Sequence, residues 1–369
     1  MTTETLTLAK AVNAALADSL EGDDRVLLMG EDIGKLGGVF RVTDGLQARF
    51  GEDRVIDAPL AESAIIGTAI GMGYRGFRVV AEIQFDGFIY PAFDQIVAQV
   101  AKLHFRSKGR VKVPLTIRVP FGGGIGSVEH HSESPEAYFA HTAGLRVVTC
   151  STPQDAHTML QQAIRCDDPV LFFEPKRRYW TKGEVDEDAI DRDDVLSMGS
   201  ARVVVPGTDV TLVTYGPLVA TAIDAAAAAA SDGDGVSVEV IDLRSLAPVD
   251  VDTVVASVAK TGRLVIAHEA QRTGGIGVRF MPTSTGMRVV DLVEGGPAWE
   301  AGLEVGDVII TVDGEAVDGL EQQEFVRRMT GPEGSTVEFE ILYTDPDGAT
   351  PGSERVVEQV RVNRRYLDG

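Results

Sequence analysis

Asp57-Ala58-Pro59-Leu60-Ala61-Glu62, running into the glycine-dotted apolar segment Ser63 to Tyr74, decides how this chain is read. Arg54-Val55-Ile56-Asp57 reads as a short strand and Pro59 as a turn. The segment after it reads as a helix that carries one carboxylate, Glu62, in its first turn. The same grammar recurs on both sides. Val26-Leu27-Leu28-Met29 is a short continuous apolar run, the mark of a buried parallel strand, and it ends in the loop Gly30-Glu31-Asp32-Ile33-Gly34. Phe77 to Ile83, Leu115 to Val119, Leu145 to Val148 and Pro169 to Glu174 read as further strands. Pro91 to Arg106 reads as a helix with Phe93, Ile96, Val97, Val100 and Leu103 on one face. Thr152-Pro153-Gln154-Asp155 caps another helix through Ile164, and residues 5 to 20 form an N-terminal one. Strands alternating with helices predict a doubly wound α/β domain, a parallel sheet covered on both faces. In such sheets ligands sit beyond the carboxyl ends of the strands, where Glu31 and Glu62 lie.

Beyond this domain the composition shifts. Residues 183–199 are rich in Asp and Glu and read as a linker. A second α/β unit follows, with strands at Val210 to Tyr215, Val236 to Ile241 and Leu264 to His268 around an alanine-rich helix. From about Val278 the pattern changes to short strands, a Gly-Asp turn and one helix. The chain's 369 residues are enough for such a set of domains, each with a core. A net charge of −22 argues against nucleic-acid or anionic-membrane binding, because either surface would repel it. No apolar run approaches the ~20 residues that span a bilayer. The N-terminus lacks a basic-then-apolar leader, and the cysteines, Cys150 and Cys166, read as reduced thiols; a cytoplasmic protein is expected.

Three segments carry chemistry. Glu62 has the placement of a carboxylate with a tuned pKa and a fixed direction, although the helix dipole alone also favours a first-turn glutamate. Ala81-Glu82-Ile83-Gln84-Phe85 leads into Asp86-Gly87-Phe88 at a strand end. The glycine-rich Phe121 to Gly126 leads into His130-His131-Ser132-Glu133-Ser134-Pro135-Glu136, a polar titratable segment. Adjacent histidines point apart, and nothing nearby completes a zinc site. Gly71-Met72-Gly73-Tyr74-Arg75-Gly76 spells the dinucleotide fingerprint, but it ends a helix and precedes a strand, the reverse of the order that motif requires. Its glycines are read as close helix packing.

Taken with Phe172-Phe173-Glu174-Pro175-Lys176, these motifs closely resemble the β subunit of the decarboxylase component of branched-chain 2-oxoacid dehydrogenase, over roughly residues 1–277. The resemblance implies a transketolase-like pyrimidine-binding domain at 1–182, the acidic linker at 183–199, and a truncated transketolase C-terminal-type domain at 200–275. It implies thiamine diphosphate as cofactor. Glu62 would hold the aminopyrimidine ring nitrogen, Phe88 would stack on that ring where the family often has tyrosine, and Glu31, Leu60 and Gln84 would line the pocket. His131, directly before Ser132, would assist acyl transfer to lipoyl-lysine on the acyltransferase component.

Mg²⁺ and diphosphate are held in this superfamily by Gly-Asp-Gly followed some thirty residues later by Asn. Gly233-Asp234-Gly235 is present, but the chain's two asparagines, Asn13 and Asn363, lie elsewhere. That half of the site is therefore expected from an α subunit, in a heterotetramer of two α and two β chains. The resemblance also implies a structural monovalent cation, K⁺, held largely by backbone carbonyls. Leu115 and Thr116 match one part of that site; in the other, Asp168 stands for the usual Asn and Cys166 for an acid.

From Gly275-Ile276-Gly277-Val278 onward the chain resembles a PDZ domain, residues 276–365. The resemblance rests on Val293-Glu294-Gly295-Gly296-Pro297-Ala298, Ala301-Gly302-Leu303, Gly306-Asp307-Val308-Ile309 and Val312-Asp313-Gly314. It implies capture of a peptide C-terminus, with Gly275 to Val278 as the carboxylate loop and Leu320, Phe325, Val326 and Met329 supplying the groove helix. About fifty residues of the dehydrogenase domain are missing at this seam, which predicts an exposed sheet edge. A non-catalytic fusion whose function is peptide binding, or a pyruvate or acetoin dehydrogenase β subunit, is the alternative reading.

Overall fold

The structure is a computed structural model and describes residues 3–127, 131–192, 195–231, 235–270, 278–283, 286–292, 298, 301–317, 336–342 and 357–363. The chain forms two units, Met1–Ala270 and Gln271–Gly369.

In the first unit, strand β1 (Thr3–Thr7) leads into helix α1 (Leu8–Gly22) and β2 (Val26–Gly30). Then come α2 (Leu46–Phe50), β3 (Val55–Asp57), α3 (Glu62–Tyr74) and β4 (Arg78–Glu82). A 3₁₀ turn at Asp86–Ala92 and a π-helical turn at Gln95–Val100 precede α4 (Ala101–Arg106) and β5 (Leu115–Phe121). The first domain is completed by α5 (Glu136–Ala140), β6 (Arg146–Thr149), α6 (Pro153–Arg165), β7 (Val170–Pro175) and β8 (Lys182–Asp186). The strands predicted from apolar runs thus appear where the runs are. The helix predicted from residue 5 begins at Leu8 instead: Thr3–Thr7 is extended and pairs antiparallel with β8, and the Thr7 side chain caps α1 by accepting from the Lys10 N–H. The acidic segment is correspondingly not a free linker throughout. Val185 and Ala189 are buried, and Asp186 N–H donates to Gln154 on α6.

β5, β4, β2, β3, β6 and β7 are all parallel, as the alternating pattern requires. One face is covered by α1 and α6 through Leu8, Val12, Leu16, Met159 and Leu160; the other is covered by α3 and the 95–106 helix through Ile65, Ile66, Ile96 and Val100. The inner strands therefore bury both their faces, and all seven residues of β5 are buried, while the edge strand β3 leaves Asp57 exposed. The glycines of α3 depart from expectation. A Cβ at Gly67, Gly71 or Gly73 would meet nothing within 4 Å, so within this chain they permit no close packing.

The second domain contributes β9 (Arg202–Val205), β10 (Val210–Thr214), α7 (Val219–Ser231), β11 (Val238–Asp242), β12 (Ser245–Ala247), α8 (Val251–Thr261) and β13 (Leu264–Ile266). Four of these strands form a sheet in the order β13-β10-β11-β9. β12 leaves that sheet and pairs antiparallel with β6, tying the two domains together. Among the described residues β13 ends the strand order, with Val265 and Ile266 about half exposed, in keeping with the exposed sheet edge expected there.

Polar contacts reinforce the seam between the domains. Arg202 and Arg244 both reach Asp155, and the fully buried Asp242 accepts from Ser151 Oγ at 2.5 Å. Burial raises the Asp242 pKa from 3.8 to about 6. A carboxyl whose folded pKa is raised contributes stability below its unfolded pKa and loses it as pH rises through about 6. Asp242→Asn is therefore expected to raise the Tm at pH 8, by an amount equivalent to at most about 3 kcal/mol, and to bring no gain at pH 3.5. Thermal denaturation at the two pH values checks this; an equal effect at both would remove titration as the cause.

The second unit is a β-sheet with its own core. Its strands are β14 (Val278–Thr283), β15 (Gly286–Leu292), β16 (Val308–Val312), β17 (Glu315–Ala316), β18 (Thr336–Leu342) and β19 (Val357–Asn363). They run in the order β14-β15-β16-β18-β19, with β17 on β16. Met287, Val289, Leu303, Ile309, Val337, Phe339 and Ile341 form the core. Asp313-Gly314, both at positive φ, make the two-residue hairpin turn from β16 to β17. Gly275 to Gly277 of the carboxylate loop, and the groove residues Leu320, Phe325, Val326 and Met329, lie outside the described residues; Val278 opens β14.

Candidate active site

Register brings the strand ends of the first domain together. Gly30 lies opposite Asp57 on one side and Glu82 on the other, and Glu82 lies opposite Arg118. Glu31, the turn at 58–61 and Ile83-Gln84 therefore all leave the sheet at its carboxyl edge.

Glu62 sits in the first turn of α3 and is buried, at 8 % exposure. Glu31 is buried beside it. Burial first, and then the charge of Glu62, raise the Glu31 pKa. Glu31 Oε1 is buried without a hydrogen-bond partner among the described residues. Two neighbouring buried carboxylates, one with an orphaned oxygen, are a costly arrangement unless a ligand donor completes it. Leu60 stands on the outer rim, 77 % exposed, and Gln84 is half-buried.

His131 is held by aromatic rings. Phe85 stacks on it with centroids 4.0 Å apart, and Phe88 meets it edge-on at 5.3 Å. Its Nδ1 is buried and unpartnered among the described residues. His130 lies outside the described residues. Phe88 thus holds the histidine edge-on while packing against the core that Ile65 and Ile66 of α3 help form. The Ser63 hydroxyl, next to Glu62, donates to the Pro91 carbonyl and ties the start of α3 to the Phe88 turn.

Two buried ionic networks support this rim, and sequence reading found neither role. Lys176 Nζ donates to Asp86 Oδ2 at 2.7 Å, with both side chains fully buried. Burial pushes Asp86 up and Lys176 down, and their mutual hydrogen bond opposes both shifts. Asp86 also accepts the backbone N–H of Glu133, whose carbonyl accepts from Gly122 N–H at 2.9 Å. The segment after His131 is thereby pinned on both sides. Further along, Glu136 accepts from Tyr215 Oη of the second domain at 2.8 Å, and Arg177 Nη1 pairs with Glu269 at 2.5 Å.

In the second network the Arg118 guanidinium bridges Glu82 at 2.6 Å and Glu174 at 2.6 and 2.8 Å, and Tyr179 Oη donates to Glu174 at 2.6 Å. One cation faces two carboxylates. Burial raises the Glu82 pKa despite Arg118, because Glu174 shares that cation. The available signal was the string Phe-Phe-Glu-Pro-Lys itself: two ionisable residues closing an apolar strand are buried charges in need of partners.

The residues expected to hold a monovalent cation lie at the opposite, amino-terminal end of the sheet. Leu115 and Thr116 open β5 and are buried; Asp168, in the turn from α6 to β7, is paired with Arg146 at 3.2 Å. Among the described residues no three His, Cys, Asp or Glu side chains converge on a metal position. Among the described residues no helix is long and apolar enough to cross a membrane.

Comparison with known proteins agrees with this architecture. Residues 4–181 match the transketolase pyrimidine binding domain, 199–292 the transketolase C-terminal domain and 288–342 the PDZ domain. The chain is 55 % identical over 274 residues to the pyruvate dehydrogenase E1 component subunit beta of Leifsonia xyli subsp. xyli, covering 74 % of this chain and 80 % of that protein. It is 54 % identical over 275 residues to the 3-methyl-2-oxobutanoate dehydrogenase subunit beta of Mycobacterium tuberculosis, covering 74 % and 78 %. With the 2-oxoisovalerate dehydrogenase subunit beta of Pseudomonas aeruginosa the identity is 46 % over 294 residues, covering 76 % and 82 %. A solved structure titled split gene transketolase, inactive beta4 tetramer, shares the fold, with a TM-score of 0.58 at 22 % identity over 72 % of this chain and 80 % of that one. A transketolase-type pyrimidine domain, its C-terminal companion and these identities together make the chain a member of the β-subunit family of 2-oxoacid dehydrogenase E1 components, here carrying a PDZ domain.

Proposed function

We propose that this chain builds the aminopyrimidine half of a thiamine diphosphate site that decarboxylates a branched-chain 2-oxoacid, in the cytoplasm and together with an α subunit. The observation that carries the reading is the buried Glu31–Glu62 pair, whose Glu31 Oε1 has no partner among the described residues, beside a histidine clasped by Phe85 and Phe88. When bound, thiamine diphosphate supplies the electron sink for loss of CO2. Glu62 holds the ring nitrogen, its carboxylate directed by the first turn of α3. Phe88 offers an aromatic face, and Gln84, Leu60 and Glu31 line the pocket. His131 moves a proton during acyl transfer to the lipoyl group of an acyltransferase component.

The open rim supports an α partner. Leu60 and Tyr90 are exposed at the mouth, where a second chain would cover them and bring the Mg²⁺ and diphosphate ligands. Co-expression with a branched-chain α subunit, followed by cofactor-dependent decarboxylation of 3-methyl-2-oxobutanoate with an artificial acceptor, tests the reading. Turnover is expected; co-purification without turnover on 3-methyl-2-oxobutanoate, pyruvate or acetoin would overturn it. His131→Ala is expected to leave artificial-acceptor turnover within about tenfold while cutting lipoyl acylation about 10²-fold or more. Equal losses in both assays would move His131 to the decarboxylation step.

A second reading has its own observation. The PDZ unit possesses a separate core, so peptide capture is available to the chain whether or not the site turns over. Screening the full chain against peptides with free C-termini tests it, and indifference to C-terminal amidation would sink it.

A further inference from the structure

Arg78 opens β4, next to the strand position of Leu115. Its side chain is largely buried and reaches across to the end of α6. Nη1 donates to the Ile164 carbonyl at 3.2 Å and to the Cys166 carbonyl at 3.0 Å; Nη2 donates to Asp167 Oδ1 at 2.9 Å. Those carbonyls belong to the last turn of a helix and the residue after it. Such carbonyls have no intrahelical donors and carry the negative end of the helix dipole. The other anions of the turn are also taken, since Lys112 Nζ holds Asp167 Oδ2 at 2.6 Å and Arg146 holds Asp168.

This is the region where family resemblance leads one to expect K⁺. The residues present do not fit it. A cation placed on the Ile164 and Cys166 carbonyls would stand against a guanidinium already bonded to both, and like charges at such a distance repel. We propose that the Arg78 guanidinium takes the place of the structural monovalent cation, so that this chain fastens the α6–β7 turn to its sheet with a resident charge and needs no K⁺. A guanidinium suits the task because its fork presents several donors in one plane, satisfying two carbonyls and a carboxylate together. The departures at Cys166 and Asp168 accord with this: neither is needed to feed a metal once the carbonyls have a donor.

The inference rests on family membership and on packing, and its readout is stability rather than turnover. The Tm of the full chain would be compared in KCl, NaCl and choline chloride at equal ionic strength, together with Tl⁺ binding as a K⁺ probe. Wild type is expected to show one Tm in all three salts and no Tl⁺ site. Arg78→Ala is expected to fall by on the order of 5 °C, with KCl alone restoring part of the loss. A wild-type Tm raised by K⁺ over Na⁺ and choline, or a Tl⁺ site in wild type, would overturn the proposal. So would a folded Arg78→Ala protein indifferent to K⁺. Should Arg78→Ala fail to fold, the wild-type salt series and the Tl⁺ titration decide alone.

Discussion

Glu62→Gln in the complex with an α subunit is expected to lower decarboxylation by about 10²–10⁴-fold while leaving the chain folded and assembled. The amide keeps the volume of the carboxylate and its place in the first turn of α3, so the core beneath, Ile65, Ile66 and Ala69, is undisturbed. What it loses is the charge that, on the proposed reading, would hold a proton on the cofactor's ring nitrogen. Removal of that charge also relieves one of the causes that raise the Glu31 pKa, the larger being burial. The variant is therefore expected to be no less stable than wild type at pH 8, where two neighbouring buried carboxylates are most costly. Activity, subunit co-elution and Tm should be measured on the same preparation. A loss of activity with lost co-elution would place Glu62 in assembly instead of chemistry, and turnover within tenfold of wild type would remove it from the site.

The outline of the first domain was legible because parallel strands buried on both faces must be written as apolar runs, and Val26 to Met29 and Leu115 to Val119 are written so. The position of Glu62 was legible for a related reason: a turn residue before a helix fixes where the first-turn carboxylate points. Strand β1 was not legible. Thr3 to Thr7 reads as the approach to a helix, and it is extended only because Lys182–Asp186, far away in sequence, supplies its hydrogen bonds. β12 is hidden in the same way, since its partner β6 belongs to the other domain's strand set. Phe85 was read as part of a motif, not as the ring that stacks on His131, because nothing local says that residues so far apart in sequence share a rim. The glycines of α3 show the opposite failure. The inference of close packing was drawn from residue type, and the chain alone leaves that face open. The supporting networks were invisible for a deeper reason. Asp86, Lys176, Glu82, Arg118 and Glu174 are residues that local rules put on the surface, and only the sheet register brings their charges together inside.

That register makes Arg118→Met the most damaging single change expected in the scaffold. Methionine fills much of the space but leaves Glu82 and Glu174 buried with no cation, and breaking a buried pair in this way costs about 3–5 kcal/mol. For a unit of this size that corresponds to a Tm lowered by roughly 6–20 °C. Tyr179 still donates to Glu174, so the uncompensated group is chiefly Glu82, whose pKa burial already raises. Adding Glu82→Gln to Arg118→Met is accordingly expected to recover a large share of the loss, because it removes the surplus charge without opening a cavity. Glu82→Gln alone should be nearly neutral at pH 8, since Arg118 keeps its paired contact with Glu174 at 2.6 and 2.8 Å. Thermal denaturation of the three variants forms a cycle that isolates the charge. If Arg118→Met lowered the Tm by less than about 3 °C, or if Glu82→Gln failed to restore it, water would have to reach the triad. The strand ends under Glu31 and Gln84 would then be held by packing alone. A large loss restored by the second change would instead show that one cation among two carboxylates fixes where β4, β5 and β7 end, and so where the rim of the site stands.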